Sequence, residues 1–174
     1  MSEQQSKRYG TTMFVLMWVA LLALFVVVFG RWFDRAENPN QRVSTQVSKG
    51  GALEVVLERN HYGHYVVSGK INQQPVQFMI DTGASDVSVP AHIARQIGLH
   101  KGAEVTFSTA NGYATGYLTR LAEVRVGEIV LRDIRASINP NVDHDEVLLG
   151  MSFLKRLEFS QRGETLTLRQ HPDS

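Results

Sequence analysis

Apolar and polar positions divide this chain into three stretches. Met13 to Phe29 reads MFVLMWVALLALFVVVF, seventeen apolar residues without a break, inside a charge-free stretch of 22 residues from Tyr9 to Gly30. At a rise of about 1.5 Å per residue, such a stretch forms a helix of roughly 33 Å, enough to cross a hydrocarbon core about 30 Å thick. Tyr9 at its start and Trp32 just beyond it sit where interfacial aromatics belong. A buried helix of a soluble domain keeps a polar face, which this run lacks. A cleaved signal peptide has an apolar region of only about 7–15 residues, ended by small residues suited to cleavage. Here the run ends Val28-Phe29-Gly30-Arg31-Trp32, with no Ala-x-Ala nearby. The pattern predicts an uncleaved transmembrane helix over 9–30, after a short head at 1–8.

Residues 31–51 are polar, contain Pro39 and the pair Gly50-Gly51, and show no sustained apolar period. They are expected to form a solvated linker, open to self-cleavage between Phe33 and Gly51.

From Leu53 onward the pattern changes to short runs with period two. Leu53–Leu57, Tyr65–Ile71 and Val76–Ile80 are predicted strands, with Asn72-Gln73-Gln74-Pro75 as the turn between the second and third. Pro90–Ile97 is predicted as a short helix with Pro in its first turn and Gly98 after its end. Glu104–Ala110 and Tyr113–Leu121 flank Asn111-Gly112, the strongest short hairpin signal. Glu123–Val126, Ile129–Ile138 and Val147–Leu149 are further strands, Met151–Arg156 a helical turn, and Leu157–Ser160 with Thr165–Arg169 a last hairpin around Arg162-Gly163. Many short strands with frequent turns predict an all-β domain over 52–174, a barrel or a sandwich.

Composition sharpens this division. The chain has 174 residues, 43% of them apolar, but outside the Met13–Phe29 run the share is 37%, lean for a self-sufficient core. Lys and Arg number 18 against 17 Asp and Glu, and the part from Gly51 onward carries a net charge of −2, which argues against a nucleic-acid partner. Cysteine is absent, so disulfides, thiolate metal sites and a cysteine nucleophile are excluded. Lys7 and Arg8 precede the helix, while Arg31 and Arg35 follow it, a small bias. The short head favours a cytoplasmic amino terminus. In a bacterium that makes this a single-pass inner-membrane protein with its carboxy-terminal domain in the periplasm.

Candidate chemistry centres on Asp81-Thr82-Gly83-Ala84-Ser85, directly after the apolar run Val76–Ile80. An aspartate that ends a hydrophobic strand is partly desolvated, which makes its charge costly and its proton affinity tunable. Gly83 lets the backbone turn sharply and offers an unhindered N–H to a carboxylate. The Thr82 hydroxyl is suited to reach a backbone group across an interface, and Ser85 to donate to the carboxylate from outside. Other clusters carry less. His61-Tyr62-Gly63-His64 has no further ligands at metal spacing and reads as a surface turn. Asp143-His144-Asp145-Glu146 lacks a calcium-loop pattern and reads as a solvated loop. Ser85 is not in a Gly-x-Ser-x-Gly elbow, and no phosphate-cradling glycine loop opens a helix. No metal or cofactor is expected.

In this setting the domain resembles the retropepsin-like aspartic proteases of clan AA, in particular the bacterial single-pass membrane-anchored type. Tyr65–Val76 resembles the hairpin that feeds the active-site strand, and Ile80–Ser85 the active-site loop. Thr109–Ala114 falls where the family carries its flap, and Val147-Leu148-Leu149-Gly150 resembles the late hydrophobic-glycine element before a short helix. The resemblance implies a single-lobe barrel with Asp81 as catalytic residue and Thr82, Gly83, Ala84 and Ser85 supporting its loop. It implies a flap around Ala110, Asn111, Gly112 and Tyr113, and Leu148, Leu149 and Gly150 as the late hydrophobic-glycine element. Met151-Ser152-Phe153-Leu154 replaces the viral Arg-Asn/Asp pair, so Arg156 is the remaining candidate for the dimer lock.

The number of aspartates bears on the architecture. Aspartic protease chemistry uses two carboxylates sharing one proton. This chain has one Asp-Thr-Gly: Asp133 is followed by Ile134, and no glycine follows Asp143 or Asp145. The expectation is therefore a homodimer with one Asp81 from each subunit at the two-fold axis, hydrolysing peptide bonds in peptide or protein substrates. Thr82 of each subunit would lock the opposite loop. The alternative is a non-catalytic binding or scaffold module of the same fold, tethered to the membrane.

Overall fold

The computed structural model describes residues 3–48, 50–109 and 112–172. It divides into two compact units, residues 1–36 and 37–174. The first is built on a single helix, α1 (Glu3–Glu37). Its large apolar side chains are exposed, Leu22 at 67%. Exposed leucine, valine and phenylalanine on all sides are a liability in water and a match to lipid. The helix is long and apolar enough to cross a membrane, a property it shares with signal sequences.

The second unit is mostly β. A four-stranded antiparallel sheet has the order β1 (Thr45–Val47), β2 (Leu53–Glu58), β11 (Thr165–Gln170), β10 (Glu158–Arg162). A seven-stranded sheet has the order β3 (Val66–Ile71), β4 (Gln74–Ile80), β9 (Glu146–Leu149), β5 (Val87–Pro90), β8 (Ile129–Asn139), β7 (Gly112–Val126), β6 (Glu104–Thr109). Strand β3 also pairs with β7, at Lys70↔Arg125 and Ile71↔Val124. That pairing closes six strands into a barrel and removes two open edges. Inside lie Phe78, Val87, Val89, Leu121, Val124, Leu131, Ile134, Ile138, Val147 and Leu149, all almost fully buried. Phe153 and Leu154 of α3 (Met151–Leu154) join them. A second short helix, α2 (Ala91–Gln96), contributes Ile93 and Ala94.

Several elements differ from the pattern-based expectation. Strand β5 lies where no strand was predicted, because the short run Val87-Ser88-Val89 is broken by serine and ends at Pro90, read as a helix start. Pro90 does both jobs: it ends β5 and caps α2. The turn after β3 is two residues long, Asn72 and Gln73, both with positive φ (48° and 70°), while Gln74 and Pro75 belong to β4. Paired positive φ values suit the right-handed twist of a hairpin. Asn72 anchors that turn on β7, accepting from the Glu123 N–H at 3.0 Å. Tyr113–Leu121 and Glu123–Val126 are one continuous strand, β7.

The polar stretch 31–51 is not one solvated linker. Helix α1 runs to Glu37, and Asn38 and Asn40 are buried. The Asn40 side chain donates to the carbonyls of Glu58 (2.8 Å) and Val66 (2.7 Å) and accepts from the Glu58 N–H (2.7 Å). Asn38 donates to Ser68 Oγ at 3.1 Å, and β1 pairs with β2. Polar side chains here complete the backbone bonding of β2 and β3, so their polarity marks burial with partners rather than solvation. The segment expected to be open to self-cleavage is thus folded from Asn38 to Val47.

Removing the Asn40 amide leaves three backbone groups of β2 and β3 without partners, at about 1–3 kcal/mol for each buried orphan. Asn40→Ala is expected to lose about 3 kcal/mol of stability and about 10 °C in Tm. Thermal unfolding of the full chain in detergent measures this, and an unchanged Tm contradicts the role given to Asn40.

Candidate active site

The site begins with strand order. Strand β9 lies between β4 and β5, parallel to β4 with Ile80 opposite Leu149 and bridged to β5 at Ser88↔Leu148. The loop from Asp81 to Asp86 leaves β4, crosses over the end of β9 and enters β5. Its backbone is held at both ends. The Asp81 N–H donates to the Leu149 carbonyl (3.3 Å), and the first N–H groups of α3 donate to the loop: Met151 to Ala84 O (2.8 Å) and Ser152 to Ser85 O (2.9 Å). The buried Ser152 hydroxyl accepts from the Val87 N–H (3.0 Å) and donates to the Arg135 carbonyl (2.8 Å), tying β5 to β8.

Gly150 makes this approach possible. A Cβ at that position would lie 2.2 Å from the Asp86 carbonyl oxygen and 2.6 Å from that of Ala84. Backbone atoms that close leave room for glycine alone.

Asp81 is half-buried at the start of the loop, and its Oδ1 accepts from the Gly83 N–H at 2.8 Å. A Cβ at Gly83 would stand 3.1 Å from that same oxygen, so glycine also keeps the carboxylate uncrowded. Thr82, Gly83 and Ser85 are exposed and Ala84 is half-buried. The Ser85 hydroxyl makes no bond to Asp81 among the described residues. Beside the carboxylate opens a cavity of about 390 Å³ that reaches Asp81, Gly83, Ala84 and Ser85 on one side and Phe107 and Ala114 on another.

Phe107 and Ala114 face each other on the β6–β7 ribbon. Strand β8 joins β7 only from Tyr117 onward, so Gly112 to Gly116 pair with β6 alone. A two-stranded ribbon without further strands is marginally held. Gly112 has a φ of 109°, and Tyr113 is 85% exposed and contributes nothing to the cavity wall. Ala110 and Asn111, expected at the hairpin tip, lie outside the described residues. Leu148 reaches the cavity, while Leu149 is buried in the core.

Other predicted features fall elsewhere. Arg156 donates to the Arg132 carbonyl at 2.6 Å, on β8. The arginine that meets the active-site loop is Arg135, whose Nε donates to Asp86 Oδ1 at 2.7 Å. Neither Asp86, Arg135 nor Ser152 carries a motif; the only trace is that Asp86 closes the Asp81 loop and Ser152 follows Gly150 by two. The Asn60 side chain bonds the Tyr62 and His64 N–H groups and so shapes the His61–His64 segment as a turn. Asp145 pairs with His92 at 3.0 Å. No cluster of three metal-ligating side chains occurs among the described residues.

The family model described as "gag-polyprotein putative aspartyl protease" matches residues 67–156. An uncharacterized protein of Sinorhizobium sp., from the region 5′ of cobV, is 37% identical over 123 residues, covering 68% of this chain and 53% of that protein. An uncharacterized protein of Rickettsia prowazekii (strain Madrid E) is 30% identical over 157 residues, covering 82% and 64%. The chain thus spans between 53% and 64% of the length of these curated relatives. Among solved structures, a retropepsin-like aspartic protease from Rickettsia conorii matches with a TM-score of 0.59 and 29% identity, over 74% of this chain and 96% of that one.

Gly150→Ala forces a methyl group against two carbonyl oxygens of the Asp81 loop, those of Ala84 and Asp86. The expected cost is about 3 kcal/mol, the upper end for overpacking, read as a Tm drop of about 10 °C. A variant that unfolds with the parent contradicts the close approach.

Proposed function

The chain belongs to the gag-polyprotein aspartyl protease family and has a retropepsin-like fold, and from that premise we propose that it is a membrane-anchored aspartic endopeptidase, active as a homodimer. The observation that carries this is the Asp81 carboxylate, held by the Gly83 N–H at the edge of a cavity walled by the β6–β7 ribbon.

Two carboxylates within a few ångströms of each other cannot both ionise cheaply, so the pair holds one proton. The ionised member takes a proton from water, which attacks the scissile carbonyl carbon; the protonated member donates to the carbonyl oxygen. The first carboxyl then passes the proton taken from water to the amide nitrogen as the C–N bond breaks, and the second carboxylate takes back a proton from a hydroxyl of the tetrahedral intermediate, which leaves acid, amine and a pair again sharing one proton. One chain supplies one Asp-Thr-Gly, so the second carboxylate comes from a second chain. The exposed Thr82 and Gly83 are the surface on which two such loops meet. The β6–β7 ribbon is the flap: it opens for an extended peptide and closes over it, excluding water.

Helix α1 anchors the enzyme, and both subunits then move in one plane, which raises their effective concentration. With α1 as the anchor, and bacterial proteins as relatives, the reading places the helix in the inner membrane and the β domain in the periplasm. Domain limits at 1–8, 9–30, 31–51 and 52–174 describe the head, anchor, connecting segment and protease domain, with the connecting segment folded onto the protease from Asn38.

Asp81→Asn keeps the shape of the side chain and removes the titrating carboxylate. Cleavage of reporter peptides by the full chain in detergent is expected to fall by at least about 10³-fold with unchanged Tm; a variant that cleaves like the parent refutes the mechanism. Subunit mixing tests the dimer. Adding an equal amount of the Asp81→Asn chain to the wild type, under conditions of subunit exchange, should lower activity to about half, since random pairing inactivates half of the wild-type chains. Undiminished activity means that one chain suffices.

A further inference from the structure

The floor of the cavity beside Asp81 is unusual for its composition. Three side chains form a row across adjacent strands: Leu148 on β9 is opposite Ser88 on β5, and Ser88 is opposite Ser137 on β8. All three border the cavity. Cross-strand partners share one face of the sheet, so this row is a single surface. The flanking residues point the other way: Val87 and Val89 on β5, and Ala136 and Ile138 on β8, are buried in the core. Two of the three floor positions therefore carry hydroxyls where the adjoining positions of the same strands carry aliphatic side chains.

Neither hydroxyl bonds to another group among the described residues. Ser137 is only 6% exposed, so its unpartnered hydroxyl opens chiefly to the cavity. The charged neighbour is neutralised: the Asp86 carboxylate, which also borders the cavity and is 11% exposed, is engaged by Arg135 Nε at 2.7 Å. The opposite wall is apolar, from Phe107 and Ala114. Apart from Asp81, the proposed reaction centre, and the amide of Asn139, the site offers an apolar wall, two vacant hydroxyls and a compensated charge, which suits a short side chain with an uncharged hydrogen-bonding head. It penalises an aliphatic one, which would leave both hydroxyls dry and unpaired.

Resting on the protease reading above, we infer that this cavity is a specificity subsite selecting substrates with Ser, Thr, Asn or Gln at one position near the scissile bond. Ser88 and Ser137 are its specificity-determining residues.

The test is cleavage of a position-scanned peptide library by the full chain in detergent, with cut sites read by mass spectrometry. The wild type should favour Ser, Thr, Asn or Gln over Val, Ile and Leu by at least about tenfold in kcat/KM at one position within three residues of the cut. The Ser88→Ala/Ser137→Ala double variant removes the hydroxyls and adds no volume. It should bring that ratio to about one, largely through slower cleavage of the polar peptides, while the aliphatic peptides are cut at least as well as before. Ser88→Val alone, which fills the floor with an aliphatic group, should invert the preference. A wild type that prefers aliphatic side chains at every position overturns the inference, as does a double variant that keeps the polar preference; both leave the protease reading standing. If the wild type cuts no peptide in the library, the protease reading and the subsite fall together.

Discussion

The backbone of Gly150 rests against the carbonyls of Ala84 and Asp86 with no room for a side chain. The arrangement of the Asp81 loop depends on that approach. It brings β9 between β4 and β5, and it lets the first N–H groups of α3 satisfy the carbonyls of the active-site loop. A loop so bonded has few conformations left, and Asp81 inherits that rigidity. Preorganisation of this kind suits the acid–base role proposed for Asp81, because a carboxylate displaced by an ångström loses much of its effect. The Thr82 and Gly83 edge of the loop is exposed, as the proposed dimer requires.

The rest of the barrel supplies a stiff frame and a soft cover. Pairing of β3 with β7 closes the frame, and the two asparagines after α1 complete the bonding of β2 and β3. The distal part of the β6–β7 ribbon lies outside this network, with Gly112 to Gly116 paired to β6 and not to β8. Rigidity under the carboxylate and a lightly held ribbon beside it fit the proposed division of labour, in which the chemistry is held still while the flap opens and closes.

Much of this was legible in the residues. The alternation of apolar and polar positions marked most strands, because each has one face in the core and one outside. Asp-Thr-Gly after an apolar strand marked the loop that follows β4, and the Leu-Leu-Gly element marked β9 and the start of α3; that Gly150 lies against the loop backbone shows only in the structure. What escaped has a shared cause. Strand β5, the burial of Asn38 and Asn40, the Asp86–Arg135 pair and the role of Ser152 all depend on partners 17 to 65 residues away in the chain. A polar residue reads as solvated until its partner is known. Ser88 and Ser137 illustrate the point: each interrupts an apolar run, and only the sheet register shows that they lie side by side.

The proposed enzyme requires two Asp81 carboxylates from two chains in one site. Calorimetric titration of the full chain in detergent with a statine-containing peptide, whose hydroxyl occupies the place of the attacking water, counts such sites. Saturation is expected at one inhibitor for two chains, with binding lost in the Asp81→Asn variant. Saturation at one inhibitor per chain, or undiminished binding to that variant, would contradict the proposal.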